Sequence, residues 1–138
     1  MGTMRTLKDI EAYLGALSRP FTAVEERPGT FLLTSTEGVT IALRVDPPIV
    51  LARVTIGDVP KGTEAQLFRT LLERNAASLI HTSYGLEGDS VVLSAALELE
   101  NLDFNELEAA LDEIDLTLAR DVPSLRAPAA PATPASAS

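Results

Sequence analysis

Apolar residues recur along the chain with two different periods, and the switches between them mark out nine elements. Leu7, Ile10, Leu14 and Leu17 stand three, four and three residues apart, the spacing of one helix face, and Thr6 and Asp9 have the spacing of a capping box. This helix is expected to stop before Arg19-Pro20, because proline lacks the amide and restricts the residue ahead of it. From Phe21 to Gly57 the period is two, and Pro28-Gly29, Glu37-Gly38 and Asp46-Pro47-Pro48 cut the segment into four short strands. In the third, Val39, Ile41, Leu43 and Val45 share one face and Thr40, Ala42 and Arg44 the other, the pattern of a sheet covered on one side. The fourth, Ile49 to Ile56, begins with apolar residues on both faces, so Ile49 and Leu51 lie off the core face.

Helical spacing returns after Gly62. Thr63 to Gln66 reads as a second capping box, and Leu67, Phe68, Leu71, Leu72, Ala76 and Leu79 predict a helix running to about Ala77. At 100° per residue its apolar arc covers roughly half the circumference, more than one neighbour can cover. Leu79–Leu86 and Ser90–Leu99 then read as a hairpin across Glu87-Gly88-Asp89, with Val91, Leu93, Ala95, Leu97 and Leu99 on one face. The closing helix carries Phe104, Leu107, Leu111, Ile114 and Leu118 in alternating steps of three and four, behind an Asp103 N-cap with Glu106 three residues on. The fold class is therefore α+β: an antiparallel sheet with helices, in the order α-β-β-β-β-α-β-β-α.

Composition narrows the chemistry. The 138 residues fit a single domain, expected over 1–126. The stretch 127–138, built only of Ala, Pro, Thr and Ser, reads as a disordered tail. With hydrophobic residues at 46% and charged residues at 22%, the chain is of the soluble globular class. No apolar run approaches the roughly 18–20 residues of a membrane span and no signal-peptide core opens the chain, so no membrane is expected and a cytoplasmic location is. Zero cysteines exclude disulfides and thiolate sites, and a single histidine excludes any site needing two imidazoles. A net charge of −9 argues against nucleic acid, and Arg44 and Arg53, on the outer face of adjacent strands, have no aromatic neighbours on which bases stack.

Three features invite a chemical reading, and each has a plainer one. Glu98, Glu100, Asp103, Glu106, Glu108, Asp112, Glu113 and Asp115 form an acidic run without a base; on a helix they read as solvated faces opposite the apolar stripe, not as a metal site. His81, beside Thr82 and Ser83 on an expected strand, lacks the nucleophile-elbow motif that would make it a catalytic base. Asn75, inside the apolar arc of the second helix, reads as a side chain bonding free carbonyls in the last turn. No catalytic residue, metal site or cofactor is expected. The informative feature is surplus apolar surface, which points to a partner.

The segments Leu71-Leu72-Glu73-Arg74-Asn75, Tyr84 to Leu93 and Leu97 to Leu107, with the element order over residues 5 to 121, resemble the type III secretion chaperone-like family, which includes CesT-type chaperones and YbjN-like proteins. The resemblance implies a small acidic homodimer, non-enzymatic, that binds an extended segment of another protein. On this reading Leu67, Phe68, Leu71 and Leu72 form the dimer interface, and Ile49 and Leu51 face the protein client. The alternative is a YbjN-like regulatory or stress-associated domain with a regulatory partner and no secretion client.

Overall fold

The computed structural model describes residues 2–126, and the stretch 127–138 lies outside the described residues. The nine expected elements are present in the expected order: α1 (Leu7–Ala16), β1 (Phe21–Ala23), β2 (Thr30–Thr34), β3 (Thr40–Asp46), β4 (Ile49–Asp58), α2 (Glu64–Ala77), β5 (Ser83–Glu87), β6 (Ser90–Glu98) and α3 (Phe104–Arg126). The six strands form one sheet in the order β1-β2-β3-β4-β6-β5, every neighbouring pair antiparallel. β1 to β4 form a meander, and Gly29 and Gly38 take up the positive φ that its turns require. The hairpin of β5 and β6 then adds to the far side of β4.

Period-two patterning puts Phe31, Leu33, Ile41, Leu43, Val50, Ala52, Val54 and Leu93 on the inner face, all buried. They meet Ile10 and Leu14 of α1 and Leu107, Leu111, Ile114 and Leu118 of α3 in one core. α3 lies against β4 and β6, the strands at the middle of the sheet. Each fully buried leucine or isoleucine contributes about 1.5–3 kcal/mol relative to exposure.

Local sequence sets the helix starts. The Thr6 hydroxyl accepts from the Asp9 amide while the Asp9 carboxylate accepts from the Thr6 amide, and those bonds hold the Asp9 carboxyl below its ordinary pKa. Asp103 and Glu106 make the same reciprocal pair ahead of α3. The second expected box does not form. Thr63 is the N-cap residue of α2, but its hydroxyl makes no capping bond, and Glu64 instead takes the Gly62 amide.

Two further expectations are corrected. Residues 79–82 are not strand, because the Glu113 carboxylate gathers the amides of Ile80, His81 and Thr82 and the Thr82 hydroxyl, and so bends this stretch into a pinned loop. His81 therefore sits exposed on a loop, not on a strand. The acidic run is likewise not uniformly solvated. Asp115 is 7% exposed, paired with Arg19 at 2.5 Å and accepting the Thr36 amide, which ties the exit of α1 and the β2–β3 turn to α3. Asp112 remains on the surface. The helical wheel separates stripe from surface but does not show which neighbouring segment lands on the stripe's margin.

Burial raises the Glu113 pKa, and the bonds from the Thr82 hydroxyl and the three amides outweigh that, so the carboxyl titrates below its ordinary 4.5. A group whose folded pKa is lowered contributes stability that is fully present above its unfolded value and lost as pH falls through the folded one. The wild type should therefore lose thermal stability more steeply than Glu113→Gln between about pH 5 and pH 3, read as Tm by circular dichroism. In urea denaturation, Leu111→Ala should cost about 2–5 kcal/mol by leaving a cavity. Leu116→Ala, on the same helix but 70% exposed, should change stability by less than about 0.5 kcal/mol.

Candidate functional site

Ile80, Leu86 and Leu116 are exposed singly, and two surfaces hold the apolar residues expected to meet a partner. The first is the outer side of α2. Of the residues expected at a dimer interface, Leu71 is buried in the chain's own core, and Leu67 is half-buried with its side chain packed against that core. The helix turns them inward because they share one stripe with Asn75, which faces β5. Phe68 is half-buried and Leu72 is 67% exposed. Together with Ala65, Arg69, Glu73 and Ala76 they line a shallow open depression formed by α2 alone. The Arg69–Glu73 pair at 3.3 Å runs along its side.

α2 is held in place by polar contacts. The Asn75 amide group donates to the Tyr84 carbonyl at 3.1 Å, and its carbonyl oxygen accepts the Tyr84 amide at 2.7 Å. The side chain thus acts as a short piece of strand on the β5 edge, bonding a carbonyl as expected, but one of β5 instead of its own helix. Next to Asn75, Arg74 pairs with Asp121 at 2.5 Å, and Asp121 also accepts from the Tyr84 hydroxyl at 2.7 Å and from Arg120. Asp121 is 1% exposed. Burial raises its carboxyl's pKa, but the bonds from Arg120 and Tyr84 and the charge of Arg74 bring it below the ordinary value. The Tyr84 hydroxyl is pushed upward by burial and by its bond to that carboxylate. Sequence reasoning missed this knot, although a signal existed: Asp121 continues the three-four stripe of Leu107, Leu111, Ile114 and Leu118, and an acid on a core stripe needs a buried partner.

The second surface is the outer face of the sheet. Strand register lines up Thr30, Arg44, Leu51 and Ala96 in one row across β2, β3, β4 and β6. The next row holds Leu32, Ala42, Arg53, Ser94 and Ser83, and on the opposite side of Leu51 stand Asp46, Ile49 and Glu98. Ile49 and Leu51 are half-buried and Leu32 is exposed, while Ala42, Arg44 and Ala96 around them are exposed, the pattern of a sheet surface without a helix over it. Arg53 crosses β6 to reach Glu87 of β5 at 3.1 Å. Ile49 and Leu51 thus share one surface with Arg44 and Arg53, while Phe68 and Leu72 belong to the separate α2 surface.

The Thr82 hydroxyl beside His81 donates to Glu113. Among the described residues, no three His, Asp or Glu side chains are placed to hold a metal ion, and no helix is long and apolar enough to cross a membrane.

The fold recurs in solved structures. A chain of the heterodimeric ExoU–SpcU complex from the type III secretion system of Pseudomonas aeruginosa matches with a TM-score of 0.64 and 24% identity, over 75% of this chain and 88% of that one. YbjN, a putative transcription regulator from E. coli, matches with a TM-score of 0.66 and 15% identity, over 94% of this chain and 95% of its own. At these identities the likeness is one of fold. A comparison with curated proteins finds no match. The family model CesT_Tir_1 matches residues 3–130, which takes in every element described above, and the chain belongs to that chaperone-type family.

Proposed function

We propose that this chain is a non-enzymatic protein-binding module that works as a homodimer and holds an extended segment of a partner protein. The observation that carries the reading is the pair of apolar surfaces left over once the core is complete: Phe68 and Leu72 on α2, and Ile49 and Leu51 on the outer sheet face. Side chains of this size at a surface favour contact with a second molecule; covering a fully exposed one contributes about 1.5–3 kcal/mol, and covering a half-buried one correspondingly less.

The α2 stripe suits a second copy because it is self-complementary. Read along the helix it runs Ala65, Phe68, Leu72, Ala76, small at both ends and large in the middle. Two such helices packed antiparallel about a twofold axis set each Phe68 beside the other copy's Leu72 and each Ala65 opposite an Ala76. The outer sheet face suits the client. A segment laid over it buries its apolar side chains on Ile49 and Leu51, and further pairing is available at the β1 edge. There the Val24 amide bonds inward to the Thr30 carbonyl, so the backbone groups of Phe21 and Ala23 point outward. At the opposite edge Asn75 already occupies Tyr84. Support from relatives is the presence of this fold in a heterodimeric type III secretion complex.

A second reading, a regulatory domain without a secretion client, is favoured by the likeness to YbjN, which extends over 94% of this chain. The partner decides between them: a dominant stoichiometric protein held through an extended segment supports the client reading, and a clean dimer without one supports the regulatory reading.

In light-scattering chromatography the wild type should run at twice the 14.7 kDa monomer mass, and Phe68→Asp combined with Leu72→Asp should run as a folded monomer. A monomeric wild type refutes the dimer. Leu51→Asp should lose the co-purifying partner while keeping a cooperative melt; loss of the melt instead would show that Leu51 serves the fold.

A further inference from the structure

We infer that the segment received by the outer sheet face is acidic as well as apolar, with a carboxylate two residues from the side chain that covers Leu51. This deepens the protein-binding reading and rests on it. The face is polarised along β4. Arg44 stands directly across from Leu51 on β3, and Arg53 follows two residues along β4, whereas Asp46 and Glu98 flank Ile49 at the other end. In a chain with a net charge of −9, Arg44, bonded to the Thr30 hydroxyl, and Arg53, met from one side by the exposed Glu87, place positive charge beside the central apolar residue of an uncovered face.

Arg53 is incompletely satisfied. Its Nη1 meets Glu87 at 3.1 Å, yet its Nε is shielded from solvent without a hydrogen-bond partner. Buried donors are paired in nearly all folded proteins, so Arg53 Nε keeps a donor that a further acceptor can take. Glu87 is 62% exposed and held through one nitrogen, a contact that contributes little. A guanidinium turned from Glu87 toward a carboxylate above the sheet presents Nε and a terminal nitrogen together, the bidentate geometry that makes arginine–carboxylate pairs strong and directional. Alternate residues of an extended chain fall on one face with the same repeat as Ile49, Leu51 and Arg53. An apolar residue over Leu51 therefore carries the residue two further on to Arg53. A carboxylate placed at the Ile49 end would meet Asp46 and Glu98 and be repelled, so the charge pattern also selects the direction in which the segment lies.

The test uses the full chain and two fluorescein-labelled synthetic peptides. In one, leucine alternates with threonine over the first half and glutamate with threonine over the second; its twin has lysine for glutamate. By fluorescence anisotropy at low ionic strength the glutamate peptide should bind about tenfold more tightly than the lysine twin, and the difference should shrink with added salt. Arg53→Glu should abolish or invert the preference, and Arg53→Lys should restore only part of it. Equal binding of both peptides that is lost in Leu51→Asp would overturn the charge selection and leave the apolar docking reading standing. Binding of neither peptide would overturn both. The comparison of the two peptides on the unaltered protein does not depend on any variant folding.

Discussion

Burial of the α3 stripe Leu107, Leu111, Ile114 and Leu118 against the inner residues of β4 and β6 holds the remaining features in place. These strands are the centre of the sheet, and α3 joins the meander on one side to the β5–β6 hairpin on the other. α1 extends the same layer through Ile10 and Leu14. The inner face of the central strands is then covered, and the outer face of β3 and β4 stays in contact with water. Ile49 and Leu51 are surface residues for that reason, although their sequence neighbours Val50 and Ala52 are core.

α2 is attached differently. Its buried contribution rests on Leu71 with Leu67 beside it, and polar contacts add the rest: Asn75 on the β5 edge and Arg74 on Asp121. Satisfied buried groups of this kind fix orientation more than they add net stability, because their desolvation offsets much of the attraction. The consequence is geometric. With Leu71 and Asn75 turned inward, Phe68 and Leu72 must face out, and Glu113 holds the following loop so that β5 begins at Ser83. Asp115 and Glu113, acids of α3 that a helical wheel assigns to solvent, are thus engaged in holding the exit of α1 and the loop before β5.

The proposed function is a property of surfaces. Both candidate surfaces consist of ordinary aliphatic, aromatic and small side chains, and their meaning lies in being uncovered. On the outer sheet face Arg44 and Arg53 sit beside Leu51 in an otherwise acidic chain, and the inferred charge selection rests on that placement.

The sequence by itself determined the element types, their order and the inner face, since periods of two and near 3.6 are local properties that register on every turn and strand. It also determined that Ile49 and Leu51 lie off the core face, because alternation along β4 is unbroken as far as Thr55. Only the tertiary structure decided which apolar residues of α2 remain free. Leu71 and Leu72 are adjacent in sequence and alike in chemistry, yet one is 5% and the other 67% exposed, because β5 and the Asp121 knot orient the helix about its axis. The same holds for Glu113 and Asp115, which are drawn inward by the amides of residues 80–82 and by Arg19. Such partners lie far away in sequence, and no local pattern carries the distance between elements that meet only on folding.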